Sequence, residues 1–286
     1  AGVRWLRQFG GWPGQEPVRG EWKWDKTDAL LANSRTNNIR LLGILSYMPK
    51  WASSKADPRT FPIKDIQYWR DYITAVVTRY NKDIKYWEIW NEFNGGFAVS
   101  KDKPADYSQL VREAYLIAKK IDPESMIGIS CANFDLSFFD KVIKAGAANH
   151  FDFVCVHPYE NLGGVTKRGG EQGYLSMAGS IRRMLADNKQ KADMPLWITE
   201  IGRTTKNKPP DPKTDAQQAE ALVKAYILSL AQGFSRIFWF EPKGPPIYGK
   251  DHNEAHGIIR PDSSPRPGYH ALKTMTGLLS LEPQYI

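Results

Sequence analysis

Two glutamates in this chain stand where a carboxylate is expensive to keep. The run Tyr86-Trp87-Glu88-Ile89-Trp90 ends in Asn91-Glu92, and the run Pro195-Leu196-Trp197-Ile198-Thr199 ends in Glu200-Ile201-Gly202. Each run reads as an apolar strand, and an unpaired carboxylate at its end would be costly to bury. Two such groups facing one pocket are the minimum machinery for glycoside hydrolysis.

The elements that must position them follow a repeating pattern. Apolar, β-branched or aromatic runs predict strands at Val3–Gln8, Ile39–Tyr47, Tyr86–Glu92, Met126–Asn133, Phe151–Tyr159, Leu196–Ile201 and Arg236–Glu241. Helical patterns lie between them at 25–36, 64–80, 105–121, 136–146, 176–188, 215–232 and 267–280. In 64–80 the apolar positions Ile66, Trp69, Tyr72, Ile73, Val76, Val77 and Tyr80 form a stripe of helical period. Thr214 followed by Gln217 predicts a capping-box start for the sixth helix.

Strands alternating with helices imply an α/β fold with a parallel sheet, since each parallel crossover needs a long connection. Runs such as Ile39–Leu45 are almost continuously apolar, as expected when both faces of a sheet are covered. No G-x-G-x-x-G follows any strand, so a dinucleotide fold loses its main support. Seven units fit a (β/α)8 TIM barrel better than an open sheet, and catalytic groups in such a barrel sit at the C-terminal strand ends. The barrel needs eight strands. The first visible run follows directly on Ala1-Gly2, which reads as a helix end, so the first β/α unit is expected to be missing from this segment. No linker rich in Gly, Pro or Ser divides the chain, and one catalytic domain over residues 1–286 is expected.

With these motifs in place, the chain resembles glycoside hydrolase clan A, the 4/7 superfamily, and is nearest to family 39 and related bacterial families. The strand ending Trp90-Asn91-Glu92 and the later Thr199-Glu200 look like the clan's two active-site strands. The run Val3-Arg4-Trp5-Leu6-Arg7 with Trp12 is similar to its second strand, and Gly43-Ile44-Leu45 through Tyr47, Pro49 and Trp51 to its third. His157-Pro158-Tyr159 resembles the sixth strand end, Phe238-Trp239-Phe240 the eighth, and residues 266–272 the last helix. In the clan the acid/base ends strand four and the nucleophile strand seven. With one strand missing at the front, the visible third and sixth strands take those places.

The resemblance implies Glu92 as general acid/base and Glu200 as nucleophile of a retaining enzyme, with the two carboxyl groups about 5–5.5 Å apart. Glu200 must stay ionised to attack, so it needs donors and a positive neighbour. Glu92 must hold its proton until the leaving oxygen takes it. Arg7 is the expected cation; Arg4 competes, and strand alternation turns only one of them inward. Asn91 would hydrogen-bond the sugar 2-hydroxyl. His157 and Tyr159 share a face, and Tyr159 is placed to donate to Glu200. Trp239 is the expected floor for the cleaved sugar, with Glu241 two residues on reaching sugar hydroxyls. Trp12, Tyr47 and Trp51 would extend the cleft, with ordinary core packing the competing role for each.

Composition narrows the remaining classes. Among 286 residues, 39 Lys and Arg face 31 Asp and Glu, for a net charge of +8. The positive residues are scattered and accompany no nucleic-acid motif, so nucleic acid is not an expected partner. No apolar run is long enough to span a membrane. The opening residues lack the features of a signal peptide. The two cysteines, Cys131 and Cys155, build no disulfide framework and are expected to pack as small apolar groups.

His252 and His256 in DHNEAH have metal-like spacing but lack the H-E-x-x-H glutamate, so pocket lining is expected rather than metal binding; no cofactor is expected. The loops after the last three strand positions carry Lys167, Arg168, Arg203, Lys206, Lys208, Lys243 and Lys250 against Glu171, Asp211, Asp251 and Glu254, a count that fits an ordinary solvated surface and, alternatively, an acidic or sulfated glycan. Gly95 and Gly96 after Glu92 suggest an open cleft and internal cleavage of a polysaccharide. A monomer is expected, secreted or periplasmic because polysaccharides lie there. A catalytically silent glycan-binding barrel is the alternative.

Overall fold

The computed structural model describes residues 2–8, 10–53, 63–167, 169–206, 210–244 and 254–279. Its strands are β1 (Trp5–Arg7), β2 (Arg40–Leu45), β3 (Tyr86–Ile89), β4 (Met126–Ala132), β5 (Phe153–His157), β6 (Leu196–Ile201), β7 (Thr205–Lys206), β8 (Phe234–Trp239) and β9 (Glu254–Ala255). Helices separate the main strands, and the α/β class read from the sequence is the one observed. The chain divides into two compact units. The first comprises residues 4–156 and 181–195; the second comprises 1–3, 157–180 and 196–286. Two of the boundaries fall inside β5 and inside the helix Met177–Asp187, and the other two just before β1 and β6.

In the first unit β1 to β5 lie in chain order, and the pairs β1–β2, β2–β3 and β3–β4 are parallel. Two glycines admit aromatic rings from the next strand. A Cβ at Gly43 would lie 2.6 Å from the Trp87 ring, and one at Gly128 would collide with Phe153. The helix Ile66–Tyr80 starts at Asp65, whose side chain accepts from the Gln67 N–H. Its stripe is buried from Trp69 to Tyr80, while Ile66 stays half-buried. Each such apolar side chain contributes about 1.5–3 kcal/mol.

The helix Lys103–Ile121 begins at Asp102, with Pro104 in its first turn. It delivers Tyr107, fully buried, whose hydroxyl donates to the Ile89 carbonyl at 2.7 Å and accepts from the Ser130 N–H at 2.7 Å. One phenol thus ties the end of β3 to β4. Burial pushes that phenol well above its ordinary pKa, so it remains a neutral hydroxyl.

In the second unit β6 pairs in parallel with β8, and β7 pairs antiparallel with β9. The helix Pro212–Ala231 packs on Pro267–Leu278, and Ala221, Leu222, Ala225, Leu272 and Met275 on these helices are buried. Asp215 holds this corner together, accepting from Arg266 at 2.7 Å, Arg260 at 2.5 Å and Thr205 at 2.6 Å.

The structure departs from the sequence reading in several places. The sixth of the expected helices is capped by Asp211, which accepts from the Lys213 N–H, and not by Thr214. Pro212 fits the first helical position, so the helix starts earlier, and Thr214 bonds Thr205 and the Asp211 carbonyl instead. The expected helix 136–146 ends at Val142 and passes into a π turn, Ile143–Ala147, where Gly146 has φ 125°. Short helices at Trp12–Gln15, Tyr159–Val165 and Glu171–Leu175 were not foreseen. Cys131 and Cys155 are buried free thiols, and no helix among the described residues is long and apolar enough to cross a membrane.

We expect Tyr107→Phe to lower stability by about 1–3 kcal/mol, because it leaves the Ser130 N–H without its acceptor in the interior. A lower urea midpoint at unchanged m-value would register the loss.

Candidate active site

The surroundings of Glu92 are built in the first unit. Glu88, in the middle of β3, is fully buried, and Arg7 at the end of β1 meets it with two hydrogen bonds, Nε to Oε2 at 2.8 Å and Nη2 to Oε1 at 2.9 Å. The same Nη2 donates to Asn91 Oδ1 at 2.8 Å. Since a guanidinium only donates, the Asn91 atom facing it must be the carbonyl oxygen. The amide NH2 is then the group Asn91 can offer to an acceptor such as a sugar hydroxyl.

The backbone of this turn is strained, with Trp90 at φ 61° and Glu92 at φ 51°. Neighbours hold it in place. Trp90 N–H donates to the Leu45 carbonyl at 2.9 Å and its indole N–H to the Phe97 carbonyl at 2.9 Å. Gly95 N–H returns to the Glu92 carbonyl at 2.8 Å. The Asn94 side chain accepts from Ala132 N–H at 2.7 Å and donates to the Ala132 carbonyl at 3.1 Å. Lys103 Nζ closes the loop on the Asn94 and Gly95 carbonyls, at 2.9 and 2.6 Å. Glu92 itself is half-buried.

The surroundings of Glu200 are built in the second unit. Glu200 follows Thr199 on β6, and its side chain keeps 16% exposure. Tyr159 donates to Glu200 Oε1 at 2.7 Å, and Nδ1 of the buried His157 lies 4.0 Å from Oε2. His157 Nε2 lies 3.0 Å from Thr199 Oγ1, which fixes the imidazole plane. His256 packs edge-on to Tyr159 and to Phe240, at ring distances of 6.1 and 5.3 Å. Trp239 ends β8 and is 8% exposed, and Glu241 is half-buried with its carbonyl accepting from Ile258 N–H.

The structure therefore gathers Arg7 and Asn91 in one unit, and His157, Tyr159 and Glu200 in the other. Arg4 is exposed, so of the two arginines only Arg7 turns inward. Trp12 requires a correction. It is fully buried, stacked on Tyr72 at 4.8 Å with its N–H donated to Glu16 at 2.7 Å, which makes it a core residue and not a sugar platform. Trp51 is half-buried beside it, its N–H donated to the Glu16 carbonyl. Tyr47 stacks on the exposed Phe97 at 6.2 Å and meets Trp90 edge-on. His252 lies outside the described residues. Sequence reasoning missed Glu88, Asn94, Lys103 and Tyr107. A glutamate inside the apolar run YWEIW was the available signal for the first; the others act through tertiary contacts that spacing does not show.

Residues 11–136 match the model of glycosyl hydrolase family 10. In structure, the chain is similar to a family 39 glycoside hydrolase from the gut symbiont Bacteroides cellulosilyticus WH2, with TM-score 0.75 and 21% identity over 96% of this chain and 58% of that one. It is similar to a monomeric beta-xylosidase from Caulobacter crescentus CB15, with TM-score 0.71 and 20% identity over 96% of this chain and 62% of that one. A third similar structure is xylanase 10B from Thermotoga maritima, with TM-score 0.69 and 15% identity over 96% and 86% of the two chains. The chain thus spans less than two thirds of the length of the first two. The fold is the TIM barrel of these glycosidases.

The Arg7–Glu88 pair yields a stability prediction. Arg7→Met or Glu88→Leu alone breaks a buried ion pair and should cost about 3–5 kcal/mol. The double variant should lose less than either single one, as read from denaturant midpoints in a double-mutant cycle.

Proposed function

We propose that this chain is a retaining glycoside hydrolase that cleaves a β-linked glycan by double displacement. The observation that carries this reading is the setting of Glu200, a strand-end carboxylate still reachable by ligand and aimed by the Tyr159 phenol at 2.7 Å. In the first step a Glu200 oxygen attacks the anomeric carbon, the glycosidic C–O bond breaks, and the Glu92 proton passes to the leaving oxygen. In the second step Glu92, now a carboxylate, takes a proton from water. The water oxygen attacks the anomeric carbon and Glu200 leaves as a carboxylate. Asn91, its amide oriented by Arg7, donates to the sugar 2-hydroxyl.

The family match and the xylanase and xylosidase neighbours support a polymer of β-linked pyranoses as the substrate. We further propose internal cleavage, which rests on the small residues after Glu92, with Gly96 exposed. Action as a monomer outside the cytoplasm completes the reading. The cationic loops favour a polymer that carries negative charge.

The deciding experiment is digestion of a glycan panel by the wild type, Glu92→Gln and Glu200→Gln, with products followed by mass and anomer by NMR. We expect retained configuration, a loss of about 10²–10⁴-fold in kcat for Glu92→Gln, and no measurable turnover for Glu200→Gln. Binding without turnover by all three proteins would instead identify a silent glycan-binding barrel.

A further inference from the structure

A cavity of about 460 Å³ opens in the second unit. Its wall includes Tyr159, Thr166, Lys167, Gly202, Arg203 and His256, and none of its lining residues is acidic. Tyr159 is the phenol bonded to Glu200, so the cavity shares a wall with the nucleophile's support. Gly202 leaves no room for a side chain, since a Cβ there would collide with the Phe240 carbonyl and stand 3.1 Å from His256 Nδ1.

The cations in this unit are unequally matched. Arg260 and Arg266 are spent on Asp215, and Lys224 on Glu220 and Glu171. Half-buried Arg203 is held differently. Its Nη1 donates to Thr166 Oγ1 at 3.1 Å and its Nη2 to Gln217 Oε1 at 3.0 Å, both neutral oxygens. Neutral acceptors fix a guanidinium without cancelling its charge, and its fork retains further N–H donors. The backbone is held as well, because Gln218 Nε2 donates to the Arg203 carbonyl at 2.9 Å and the His256 carbonyl at 3.0 Å. Lys167 adds a second, exposed cation.

We propose that this cavity binds an anionic substituent of the glycan, a uronate carboxylate or a sulfate ester, through Arg203 and Lys167. The proposal rests on the glycosidase reading above and names the chemistry its substrate carries. A planar carboxylate or a sulfate can accept two parallel N–H bonds from the guanidinium, which a neutral hydroxymethyl group cannot match.

The test is binding without turnover. Sodium glucuronate, sodium sulfate and glucose are titrated into Glu200→Gln by NMR, with Arg203→Met, Arg203→Lys and Lys167→Met added singly. We expect glucuronate to bind at least about tenfold more tightly than glucose. Arg203→Met should remove about tenfold of that preference, with Arg203→Lys restoring only part of it. Exposed Lys167→Met, which breaks no contact that holds the fold, should lower the preference independently. Competition by sulfate points to a sulfate ester as well as a uronate, whereas binding of glucuronate alone assigns the carboxylate. Equal binding of glucuronate and glucose, or a preference untouched by both Met variants, overturns the proposal. Hydrolysis that survives Glu92→Gln and Glu200→Gln overturns the glycosidase mechanism instead, whatever the titrations show.

Discussion

A buried carboxylate must find its countercharge close by, and in this protein Glu88 finds it in Arg7. The carboxylate has no exposed surface, so the guanidinium has to come to it with both forks. Meeting that demand fixes β1 against β3 at their C-terminal ends. Because one nitrogen of the same guanidinium also holds Asn91, the constraint extends to the residue beside Glu92. An electrostatic necessity of the core therefore sets the orientation of the half-buried Asn91 amide.

Three glutamates near strand ends illustrate how setting decides role. Glu88 is wholly enclosed and neutralised by a cation, which suits a structural anchor. Glu200 keeps part of its surface and accepts from a neutral phenol, which fixes its orientation. Glu92 sits beyond the last ladder bond of β3, on a turn clamped by Lys103, Asn94 and the Trp90 indole. Identical side chains thus diverge in chemistry through donor type and exposure.

The alternation of strands and helices was legible because the hydrophobic period is strong in runs such as 66–80 and 196–201. Strand ends were read too long where the chain leaves the sheet, as at Trp90 and Glu92, since a left-handed backbone leaves no mark in hydropathy. The helix after Asp135 was read too long because Gly146 turns the chain by its φ, not by its polarity. Trp12 shows the limit for the site. An aromatic on an early loop suits a sugar platform as well as a core, and only its stacking on Tyr72 under full burial decides between them. The β7–β9 ribbon pairs Thr205 with Ala255, a separation no local pattern can announce.

The left-handed conformations of Trp90 and Glu92 carry a consequence for how such a protein evolves. Each costs on the order of 1–3 kcal/mol, a burden its neighbours must offset. Glycine would relieve the backbone at either position. At residue 90 it would also empty a fully buried indole site, so heat resistance alone would favour the exchange only at residue 92. At residue 92 the exchange deletes the carboxylate, and at residue 90 it deletes the indole that anchors the loop to Phe97. Robustness and chemistry therefore pull this turn in opposite directions, and thermal hardening of the protein would have to be sought elsewhere in the chain.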